Sequence, residues 1–80
     1  MTPGNLNLPP KTDRRWRDLV LGVNPVAPKM LALKFLLTRV TLDAKKDPSP
    51  ACIQKGIEEL YTFFQANQRA TKDDAAVLFR

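Results

Sequence analysis

Residues 29–46 read KMLALKFLLTRVTLDAKK. A helix turns about 100° per residue, so each side chain here can be assigned a direction. With Val26 included, Val26, Met30, Leu33, Leu36, Leu37 and Val40 gather within roughly 120° of arc, the width of a core-facing stripe. Leu31, Phe35 and Leu42 cluster on nearly the opposite side. Lys34, Thr38, Thr41 and Lys45 separate the two on one flank, and Lys29, Arg39, Asp43 and Lys46 lie on or near the other. A helix apolar on two sides is either sandwiched within its domain or offers one side to a partner.

The flanking sequence supplies the rest of a helical domain. Upstream, TDRRWRDLVLGVNP places Trp16, Leu19, Val20 and Val23 at i, i+3, i+4, i+7 spacing. Thr12 is the expected N-cap, and Gly22 with Asn24-Pro25 ends this first helix at about residue 23. Pro25 and Pro28 are tolerated only near a helix start, so the second helix is expected over about 26–46. Downstream, Ser49 caps a third helix with Pro50 at its first position. Ile53, Ile57, Leu60, Tyr61 and Phe64 form its single stripe, over about 50–68. Thr71 and Asp74 have capping-box spacing for a short fourth helix at about 72–79, which would bring Val77, Leu78 or Phe79 to the core. No strand pattern or hairpin turn competes. The expected fold is all-α: a small three- to four-helix bundle over 12–80. It is preceded by an extended, mobile, Pro-rich segment at 1–11, with Leu6 and Leu8 as its apolar handles.

Composition narrows the chemistry. Eighty residues make one domain with a thin stability margin. The single cysteine excludes an internal disulfide, and the absence of histidine excludes both a Cys/His zinc site and a His-activated nucleophile. The three glycines, at 4, 22 and 56, are isolated, so there is no phosphate loop. Glu58-Glu59 and Asp73-Asp74 are the only adjacent carboxylates, and neighbours on a helix diverge by about 100°. They read as solvated helix surface. Cys52 reads as a small apolar residue, since a redox or metal role lacks a second thiol. Gly56, inside the third helix, reads as a point of close approach by a neighbouring helix. No enzyme activity, cofactor or metal is expected.

Charge bears on partners. The net charge is +5, all of it from residues 1–48, where nine Lys and Arg face four Asp and Glu. Arg14, Arg15, Arg17, Lys34 and Arg39 are the candidate contacts for an acidic partner or phosphate. The RRWR run first suggests nucleic acid. Helical phase instead points Trp16 inward and the arginines outward, which disfavours a stacking platform. Asp13 with Arg17 and Arg14 with Asp18 are expected to pair at i, i+4, leaving Arg15 least committed.

The expected function is a small non-enzymatic protein-interaction module: an adaptor, regulator or subunit. It would use Leu31, Phe35 and Leu42 on the second helix, with the basic N-terminal half, to bind a partner protein or another copy of itself. The alternative is a small basic nucleic-acid-binding protein. No signal peptide or membrane span is expected, which suggests a cytoplasmic protein.

Overall fold

The structure is a computed structural model that describes residues 8–23 and 26–79. It contains four helices: α1 (Arg14–Leu21), α2 (Leu31–Lys46), α3 (Pro50–Ala66) and α4 (Gln68–Leu78). No strand occurs among the described residues. The protein is an all-α bundle, as its periodicity predicts.

α1 is shorter than expected at both ends. Asp13, not Thr12, is its N-cap, and the carboxylate accepts the Arg15 N–H at 2.9 Å. Thr12 instead sits in a turn closed by the Asp13 N–H on the Pro10 carbonyl. Gly22 ends the helix at φ 68°, the left-handed conformation that glycine adopts without steric cost. Val23 therefore lies beyond the helix and is exposed, outside the core assigned to it. The expected stop at Asn24-Pro25 lies outside the described residues.

α2 starts at Leu31, five residues later than expected. Its lead-in stays extended because the Asp74 carboxylate accepts the N–H groups of Lys29 and Met30, at 2.7 and 2.9 Å. Pro28 adds to this by disfavouring helix at the residue before it. Val26 is thus not on the helix and is partly exposed, while Leu33, Val40 and Ala44 carry α2's buried side.

α3 and α4 meet at Asn67, whose φ of −127° breaks the helix for one residue. The Asn67 side-chain amide donates to the Phe63 carbonyl. Thr71 is inside α4, fully buried, and donates its hydroxyl to the Asn67 carbonyl. It caps nothing. Asp74 is buried as well, so the reading of it as solvated surface is corrected.

α2 and α3 run antiparallel. The Cys52 thiol reaches the Asp43 carbonyl, Gly56 meets Val40, and Arg39 reaches Glu59. α1 closes the third side. Trp16 is wholly buried against Tyr61, Phe64 and Phe79, with ring centroids at 5.5, 5.7 and 4.5 Å. Its indole N–H donates to the Pro9 carbonyl at 2.9 Å. Pro9 is buried and Leu8 packs against the core, so these two residues belong to the folded domain. Leu6 and the rest of 1–7 lie outside the described residues.

The three helices approach closely at Gly56. A Cβ there would stand 2.7 Å from Val40 Cγ1 and 3.3 Å from both Val20 methyls. That is the close approach the isolated helical glycine implies.

Candidate docking face on α2

α2 presents opposite sides to different surroundings. Leu33 and Val40 are buried, whereas Leu31 is 61% exposed, Phe35 64% and Leu42 50%. The three exposed side chains lie within roughly 40° of arc on one helix face. Along the axis they span eleven residues, about 17 Å. Neither α1 nor the residue 8–11 segment buries them, so among the described residues the face is open rather than sandwiched.

Past Lys34, Thr38 and Lys45, further round the helix from this ridge, lies a groove of about 280 Å³. Its walls include Val26 and Pro28 from the lead-in and Leu37 and Thr41 from α2, and Lys34 and Lys45 stand at its edge. The groove lies between α1, which contributes Leu19 and Gly22, the lead-in and α2. Sequence reading missed it, since its walls come from three separate segments of the chain.

The cations around the ridge differ in their commitments. On one flank Arg39 donates to Glu59 at 2.9 Å and lies 3.6 Å from Asp43. The glutamate's hydrogen bond and charge push the Arg39 pKa up. Lys34, Lys45 and Lys46 are exposed, and none of them takes part in an ion pair among the described residues.

The basic candidates do not form one site. Arg15 is the most committed arginine rather than the least. It pairs with Asp13 at 3.0 Å and donates to the Phe79 carbonyl at 2.9 Å. Neither the Asp13–Arg17 nor the Arg14–Asp18 pair expected at i, i+4 occurs among the described residues. Arg14 and Arg17 border a different cleft, of about 460 Å³, between the starts of α1 and α3. Lys11 also borders it, held by Glu58 at 2.9 Å and lying 5.3 Å from the Tyr61 ring centre. Lys34 and Arg39 stand apart from that cleft, on opposite flanks of the α2 ridge.

Other chemistry is sparse. No group of three or more His, Cys, Asp or Glu side chains gathers among the described residues. Cys52 is partly buried, with its thiol 3.7 Å from the Asp43 carbonyl. Trp16 is fully buried and offers no ring to a base. No described helix is long and apolar enough to cross a membrane. Comparison with protein-family models, with curated proteins and with solved structures finds no match.

Proposed function

We propose that this protein is a non-enzymatic interaction module that docks another protein surface on the outward face of α2. One observation carries the reading: Leu31, Phe35 and Leu42 stay half or more exposed on a helix whose other side is buried core. Leaving three large apolar side chains half or more in water forgoes roughly half of the ~1.5–3 kcal/mol that full burial of each would give. Exposed apolar side chains aligned on one helix face and edged by cations are a form that binding surfaces take. The module would act as an adaptor, regulator or subunit in the cytoplasm, where its unpaired thiol stays reduced.

The test compares wild type with a Leu31→Asp/Phe35→Asp variant as bait in lysate of the cell of origin, with and without nuclease. The expected result is a protein retained by wild type, lost by the variant and unaffected by nuclease. Retention that survives the double substitution, or that disappears with nuclease, overturns the reading. Solution mass measured alongside shows whether the retained species is a second copy of the chain.

A further inference from the structure

Charge selects what covers the α2 ridge. Face-to-face pairing with a second copy can run antiparallel or parallel. Antiparallel pairing about a two-fold axis sets each flank against its own equivalent, so Lys34 and Lys45 share a seam with the other copy's same pair. Parallel pairing sets the Lys34 and Lys45 flank against the Arg39 and Lys46 flank. Antiparallel pairing brings cation to cation across the apolar seam, and like-charge juxtaposition opposes association; parallel pairing sets Lys34 and Lys45 against a flank where Asp43 and Glu59 balance Arg39 and Lys46. The acidic groups nearest the seam, Asp43 and Glu59, already engage Arg39.

Shape narrows the choice further. A helix lying on a lipid surface buries a broad apolar face. Here the apolar side chains form a ridge roughly 40° wide. A narrow ridge of side chains is what one helix packs into the groove between side-chain rows of another. A stripe of about 17 Å matches roughly three turns of a partner helix.

Resting on the docking-face reading above, we propose that the occupant is an amphipathic helix of another protein whose apolar stripe is bordered by Asp and Glu. Its apolar residues cover Leu31, Phe35 and Leu42. Its carboxylates meet Lys34 and Lys45 on one flank. The cations add on-rate and orientation more than raw affinity.

The experiment is selection from a displayed library of amphipathic helical peptides. The apolar stripe is fixed, and the flanking positions vary among Glu, Gln and Lys. The baits are the full chain as wild type, Phe35→Asp and Lys34→Glu/Lys45→Glu. Circular dichroism checks that each bait is folded. All the substituted side chains are exposed, so the fold is expected to persist.

The expected result is Glu-enriched flanks on wild type and Lys-enriched flanks on the charge-reversed bait, with no enrichment on Phe35→Asp. A selected Glu-flanked peptide should bind the charge-reversed bait about tenfold or more weakly, with the difference shrinking at high salt. Flanks that enrich without charge preference, or for Lys on wild type, overturn the partner chemistry and leave the docking face standing. Wild-type self-association, or binding to phosphatidylserine vesicles, that Phe35→Asp abolishes does the same if no peptide enriches. If Phe35→Asp changes nothing in any arm, the docking face itself falls.

Discussion

At the scale of single residues, the side chains that hold this domain are mostly not those that first attract notice. The three arginines around Trp16 suggest a free charged surface, yet Arg15, though exposed, is a strut tied to Asp13 and the end of α4. Hydrogen bonds from Arg15 lower the Asp13 carboxyl from its usual 3.8 to about 2. A carboxyl depressed in the folded state stabilises it above the unfolded pKa and loses that contribution as pH falls through the folded one. The stability difference between wild type and Asp13→Asn should therefore be full above about pH 3.8 and vanish towards pH 2, as read by denaturation midpoints across that range. Gly56 makes a sharper prediction. Alanine would gain about 1 kcal/mol in helix propensity, but its methyl meets a stiff Val40 methyl at 2.7 Å, and overpacking costs about 1–3 kcal/mol. Gly56→Ala should be neutral to mildly destabilising and Gly56→Val clearly destabilising in urea titrations. The glycine's role was legible because an isolated helical glycine has few reasons to exist. The role of Asp74 was not, because its partners are backbone groups forty-five positions away.

At the scale of elements, helix identity was legible and helix ends were less so. The apolar period assigned the first three helices, and the Ser49-Pro50 start of α3 is where the capping signal put it; the fourth, expected from Thr71 at about 72, starts at Gln68 instead. The second helix was placed too early, since Pro28 is compatible with a helix start and only tertiary structure supplies the competing acceptor. Asp74→Ala removes that acceptor and leaves the Lys29 and Met30 N–H groups without it, at a cost of about 2 kcal/mol. Loss of the carboxylate should also let the helix extend or fray near Leu31, which amide chemical shifts would register. The two-sided pattern of α2 was legible too, but not its meaning. Periodicity cannot tell a sandwiched helix from an open one, because that depends on how much of the chain is left to cover it. α1 is occupied by Trp16 and Val20 facing α3, and it leaves the outer side of α2 bare. Leu31→Asp and Phe35→Asp should accordingly change unfolding free energy by no more than about 0.5 kcal/mol each. A loss of several kcal/mol in either would mean that the face is covered in the free protein.

At the scale of the whole molecule, stability and docking reside on different sides of one helix. The core gathers around Trp16, Leu33, Leu60 and Phe64, all fully buried. Trp16 is the only tryptophan, so its emission reports on that core alone. Binding on the outer face of α2 should leave the emission maximum unchanged, whereas unfolding should shift it to the red. The order of elements along the chain was legible, and the long-range ties were not. α4 reaches back to the approach to α2 through Asp74 and to α1 through the Phe79 carbonyl. One consequence is kinetic. The Lys29 and Met30 amide protons are shielded by a carboxylate on another helix, not by a turn of their own. They can exchange with deuterated solvent when α4 lifts away, even while α2 stays wound. Their exchange lifetimes, set against that of an interior α2 amide such as Val40, time the detachment of the last helix from the rest.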